Sequence, residues 1–150
     1  MNAVIPVGNS RRSLLLDANV MLLLCVGLWN RDSISKFKRT RMFTEEDFDL
    51  LKEILAGYGE VVTTPHVLSE VSNHADFHGE PERSAFFAWL ATVVPNLPEH
   101  LEPSQALVRE TAFVRLGLTD AGVQQAARTR ELHVVTTDTD LWTHLLALEI

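Results

Sequence analysis

One stretch constrains this chain more than any other: Ser13-Leu-Leu-Leu-Asp17-Ala-Asn19-Val-Met-Leu-Leu-Leu-Cys-Val-Gly-Leu-Trp29, apolar almost throughout and interrupted by one aspartate and one asparagine. A carboxylate among buried leucines is costly unless it shifts its pKa, pairs or meets a metal ion. The run is slightly short for a membrane span, and Asp17 within it would cost about 2.5–3.5 kcal/mol on insertion scales. Arg11 and Arg12 mimic the start of a signal peptide, yet no uninterrupted apolar region leads on to a small-residue cleavage site. The sequence therefore predicts a cytoplasmic protein with no membrane contact, in which this run is core. Leu14-Leu-Leu16 reads as a short buried strand, Val20 to Leu28 as a helix, and Asp17 or Asn19 as the cap between them.

The chain of 150 residues, 46% hydrophobic and 22% charged, reads as one domain, 1–150, without repeats or linker-like tracts. The single cysteine, Cys25, excludes an internal disulfide framework, fits a reducing compartment and reads as a small core residue. A net charge of −7 argues against a protein that coats nucleic acid with its whole surface. It leaves a nuclease open, because a cluster of metal-binding carboxylates itself makes the charge negative. Arg31, Lys36, Lys38, Arg39 and Arg41 crowd one polar segment, which reads equally as a solvated loop or as a phosphate- or partner-binding patch.

Further along, Thr44 with Glu45, Glu46 and Asp47 predicts a capped helix start, and Gly57 and Gly59 its end. Val61-Val-Thr63 suits a strand, Thr64-Pro65 opens a helix, and Glu80-Pro81 opens another carrying Phe86, Phe87 and Trp89. These aromatics read as core or as a dimer surface. Residues 96–104 read as loop, 106–114 as helix or strand, Thr119-Asp120 as the start of a helix over 121–130, 133–136 as a strand and 138–148 as the last helix. Strands alternating with helices predict a parallel sheet with helices on both faces.

In such a sheet, ligands bind beyond the carboxyl ends of the strands. Asp17 follows the first strand, Asp138 and Asp140 follow the strand at 133–136, Glu70 lies in the second turn of the helix after 61–63, and Asp120 starts the helix that returns to 133. Each has an ordinary reading as a cap or a solvated acid. Gathered at one edge they would repel one another unless a cation neutralised them. An all-oxygen site of this kind suits Mg²⁺ or Mn²⁺, and two such ions about 3.5–4 Å apart would activate water against a phosphodiester.

Leu14-Leu-Leu-Asp17-Ala-Asn19-Val, Thr64-Pro-His-Val-Leu-Ser-Glu70-Val-Ser-Asn73, Leu118-Thr-Asp120-Ala and Val134-Val-Thr136-Thr-Asp138-Thr-Asp140-Leu, in that order, resemble the successive acidic motifs of PIN-domain proteins over nearly the whole chain. The resemblance implies a three-layer α/β/α fold with a central parallel sheet of four to five strands, Leu148-Glu-Ile150 being what remains for the last. It implies a metal-dependent endoribonuclease, of a kind widespread among toxins of bacterial toxin–antitoxin pairs, with RNA as substrate and an antitoxin protein and a second copy as partners. Carried over, Asp17, Glu70, Asp120 and Asp138 would bind the metal, Asp140 would be an alternative or additional ligand, and Asn19 and Thr136 would help hold the first and last acids. Asn73, three residues after Glu70, would share its helical face.

Two other function classes compete. A dehalogenase-like phosphatase needs a second aspartate two residues after its nucleophile, where this chain has Asn19. A catalytically silent domain of the same fold, acting as a binding module, would have no need of four acids. His74 and His78 have zinc-like spacing without the glutamate a zinc-protease motif requires. Gly57-Tyr-Gly59 lacks the third glycine and the following helix of a dinucleotide site.

Overall fold

A computed structural model of the chain describes residues 4–75 and 79–150. The apolar run divides as its interruption predicts. Ser13–Leu16 is strand β1 and Ala18–Trp29 is helix α1. Leu14, Leu15 and Leu16 are all fully buried. Successive strand side chains point to opposite faces, so both faces of β1 are covered. Cys25 lies buried in α1, and burial pushes its thiol up to about 12, which leaves it inert.

Helix α2 (Glu45–Leu55) begins with the expected reciprocal cap: Thr44 Oγ1 accepts the Asp47 N–H at 3.1 Å, and the Asp47 carboxylate accepts the Thr44 N–H at 2.8 Å. Strand β2 (Glu60–Val62) follows, then α3 (Pro65–His74), with Thr64 as its cap and proline in its first turn. Helix α4 (Glu82–Val93) carries the aromatic cluster. Phe86 is fully buried and meets Trp29 edge-on, with ring centroids 5.6 Å apart; Phe87 and Trp89 pack partly buried beside it. The cluster is therefore anchored in the core.

Residues 106–114 resolve into two short helices, α5 (Ser104–Leu107) and α6 (Thr111–Leu116). Helix α7 (Leu118–Arg130) starts ahead of the expected Thr119-Asp120, with Gly117 as its N-cap. Strand β3 (His133–Val135) and helix α8 (Thr139–Ala147) complete the order.

The fold is α/β, with a small open parallel sheet in the order β2-β1-β3. Leu14 pairs with Val61 on one side and with His133 on the other. Three strands are paired among the described residues, fewer than the four or five expected. Beyond β2, Thr63 makes a single parallel bridge to Glu99, its N–H donating to the Pro98 carbonyl and its carbonyl accepting from the His100 N–H, both at 2.9 Å. Pro95, Pro98 and Pro103 remove donors on either side, so this pairing does not extend. Residues 148–150, expected as a last strand, instead close the end of α8: the Ile150 N–H returns to the Leu145 carbonyl at 3.1 Å. No helix among the described residues is long and apolar enough to cross a membrane.

Candidate metal centre

β1 lies between β2, which follows it in the chain, and β3, which the chain reaches from β2 by crossing back over β1, so the strand order reverses beside β1 and a crevice forms at the carboxyl ends. Asp17 is the first residue past β1. Its N–H still donates to the Val135 carbonyl at 3.1 Å, continuing the ladder, while its side chain caps α1 by accepting the Val20 N–H at 3.1 Å on Oδ1. Oδ2 accepts the Thr136 hydroxyl, and the same Thr136 oxygen accepts the Asp138 N–H at 2.9 Å. One hydroxyl thus ties the first acid to the last. Asp138 in turn caps α8, accepting from the N–H groups of Asp140 and Leu141.

Glu70 approaches from α3, and its Oε1 accepts the Thr119 hydroxyl at 2.7 Å. Asp120 stands in the first turn of α7, which begins at the same place because Gly117 adopts φ +95°, a conformation that L side chains rarely take. Asp17, Asn19, Glu70, Asp120 and Asp138 line one cavity of about 420 Å³, together with Ala18 and residues 116–119. No lysine, arginine or histidine is among the lining residues.

The electrostatics carry the mark of this gathering. Burial raises the Asp17 pKa, and the charge of Asp138 adds to the rise, against the lowering effect of the Thr136 and Val20 hydrogen bonds. Asp120 is pushed up to about 7, first by burial and then by the charges of Asp138, Asp17 and Glu70. The four acids sense one another across the cavity, and no protein cation offsets them there.

The donor set fits a hard divalent cation, being made of carboxylate oxygens with an asparagine amide beside them. The Asp17 carboxylate accepts from Val20, Thr136 and the Thr137 backbone, which leaves at least one of its lone pairs for an ion. Among the described residues, no three His, Cys, Asp or Glu side chains are gathered tightly enough to hold an ion as they stand. Asp138, exposed at the rim, is held there by its capping bonds to the Asp140 and Leu141 N–H groups.

Two expected residues stand apart from the cavity wall. Asp140 is exposed in the first turn of α8, and Asn73 is exposed one turn beyond Glu70. His74 ends α3, whereas His78 lies outside the described residues. Sequence reasoning missed Thr119, which it read as part of a helix start; its hydroxyl serves Glu70 from within the first turn. Its position directly before Asp120 was the available signal. The chain matches no family model, no curated protein and no solved structure.

Proposed function

We propose that this chain is a metal-dependent endoribonuclease of PIN-domain type, hydrolysing RNA phosphodiester bonds at the cavity between α1, α3, α7 and α8. The observation that carries the reading is the convergence of Asp17, Glu70, Asp120 and Asp138, spread over most of the sequence, on one cavity without a basic lining residue. The parallel order β2-β1-β3 supports the reading at the level of an open α/β sheet, with the single bridge from Thr63 to Glu99 at its edge.

Asp17, Glu70, Asp120 and Asp138 would hold Mg²⁺ or Mn²⁺, with Asp140 brought in only by movement of the α8 start. When bound, such an ion supplies the Lewis acidity that makes water a nucleophile at neutral pH and offsets charge on the leaving oxygen. The protein's part is positioning. Thr136 fixes the Asp17 carboxylate against α1, and Thr119 fixes Glu70. Asn19 presents an amide to the same space. No side chain has to act as the nucleophile. A cytoplasmic toxin paired with an antitoxin protein, or an RNA-processing enzyme, is the biological setting this chemistry fits, with a homodimer as its assembly.

The test is incubation of the purified chain with total RNA in Mn²⁺, Mg²⁺ or chelator, beside Asp17→Asn. Cleavage that needs the metal and falls by at least ~10²-fold in the variant, whose fold is intact by circular dichroism, is the expected result. Undiminished metal-dependent cleavage by Asp17→Asn would sink the assignment. Absence of any metal-dependent product would favour a silent binding module, a reading that the spread of the acids also suits.

A further inference from the structure

A cavity lined by acids alone repels the polyanion it is proposed to cut, so the substrate backbone needs cations elsewhere. Six of the thirteen lysines and arginines are engaged by another side chain. Arg31 pairs with Glu45 and Asp49, Lys52 with Asp49 and Arg128 with Glu110. Arg130 donates to His100, and Arg12 and Arg83 lie over the rings of Tyr58 and Phe87. Arg31 is thereby removed from the basic segment as a candidate contact, and Lys36 faces a separate cavity that also holds Glu80 and Glu82.

Of the cations left, Lys38, Arg39 and Arg41 fall within four consecutive residues, all exposed and none paired with a carboxylate among the described residues. Arg11, Arg109 and Arg115, also exposed and without a carboxylate partner among the described residues, are scattered along the chain. The clustered three sit on a built surface. Ile34, Phe37 and Thr40 are buried at every third position, Thr40 Oγ1 donates to the Ile34 carbonyl at 2.7 Å, and the Arg41 N–H donates to the Phe37 carbonyl at 2.8 Å. The residues between these anchors are held outward. The segment then leads to the site: Met42 and Phe43 share a groove with Val20, Val135 and Thr137, and Thr137 adjoins Asp138 at the cavity rim.

We propose that Lys38, Arg39 and Arg41 form the contact surface for the phosphate backbone of single-stranded RNA, leading it across Thr137 into the acidic cavity. The proposal rests on the ribonuclease reading and names the substrate-binding surface of that site. It favours RNA over an acidic protein because the segment runs on through Met42 and Phe43 into a groove shared with Thr137, the neighbour of Asp138.

The test measures binding of a short labelled single-stranded RNA of mixed sequence to the full chain in chelator, across a salt series. The variants are Lys38→Gln/Arg39→Gln/Arg41→Gln and, as a control cation elsewhere, Arg109→Gln. The triple variant is expected to bind roughly 10–100-fold more weakly at moderate salt, with the slope of log affinity against log salt reduced by about 2. Arg109→Gln is expected to match the parent, and an unchanged thermal midpoint shows that all variants fold. Equal affinity and slope in triple variant and parent would overturn the proposal and leave an acidic protein as the partner of this surface. Binding and cleavage separate the two readings. Weakened binding with no metal-dependent cleavage by the parent retains the surface and removes the nuclease, and the reverse pattern does the opposite.

Discussion

Helix α7 passes through two polar environments that contrast in one respect. Its first turn places Asp120 in a cavity with three other carboxylates and no protein cation. One turn later Gln124, fully buried, is engaged at both ends of its amide: Oε1 accepts from His144 at 2.7 Å and from Thr111 at 3.2 Å, and Nε2 donates to Glu110 at 2.6 Å. Arg128 then closes on Glu110 with bonds of 2.8 and 2.9 Å. The second cluster is internally balanced and holds α6, α7 and α8 together. The first faces no protein cation, and the proposed metal ion would supply its balance. Buried polar groups that complete one another are architecture, whereas like charges left facing one another mark a place for a ligand.

The largest expected break in this contrast comes from Asp120→Asn. It should lower metal-dependent RNA cleavage by roughly 10²–10³-fold while raising the thermal midpoint in chelator at pH 8 by about 2–5 °C. Next, Gln124→Ala strands Glu110 and His144 and opens a cavity. It should cost about 2–4 kcal/mol in denaturant unfolding while leaving cleavage per folded molecule unchanged.

A smaller effect follows from pH. The folded pKa of Asp120, about 7, exceeds its ordinary 3.8, so the folded state binds more protons between these values. Stability of the metal-free chain therefore falls as pH rises from about 4 to about 7, and Asp17, also raised, acts in the same direction. Melting curves in chelator across this range should show the decline. Asp120→Asn should flatten it, and millimolar Mn²⁺ should offset it at pH 8. A midpoint that instead climbs with pH would contradict the unbalanced cavity. Smallest of all, Thr119→Val removes one hydroxyl from Glu70 and should reduce cleavage about 3–10-fold with little change in stability.

What the sequence revealed depended on how local each signal was. β1 was legible because a strand covered on both faces reads as an unbroken apolar run, and Asp17 because it breaks that run. The positions of Glu70, Asp120 and Asp138 were legible because parallel strands deliver their carboxyl ends to one edge. The hydroxyl of Thr119 on Glu70 was not, since the two residues are 49 apart and only the packing of α3 near α7 joins them. Asn73 and Asp140 were drawn toward the site by short spacings, but side-chain direction at a helix start or end depends on caps that spacing does not encode. The aromatics of α4 were read as core or as a dimer surface, and the contact of Phe86 with Trp29 settles that residue as core, since an aromatic-rich helix shows several apolar faces and only packing selects one.

Asp17 caps α1, Asp120 lies in the first turn of α7 and Asp138 caps α8, so three helices begin at the cavity. Each contributes the positive end of its dipole, which favours a nearby anion by about 0.3–1 kcal/mol. The fold thus lends the acids partial relief before any ion arrives, although burial outweighs it at Asp17 and Asp120. The same dipoles oppose an incoming cation. On the proposed reading, a centre built this way would hold its metal as an exchangeable visitor, occupied according to the supply around it, and its activity would follow free divalent concentration instead of being fixed when the chain folds.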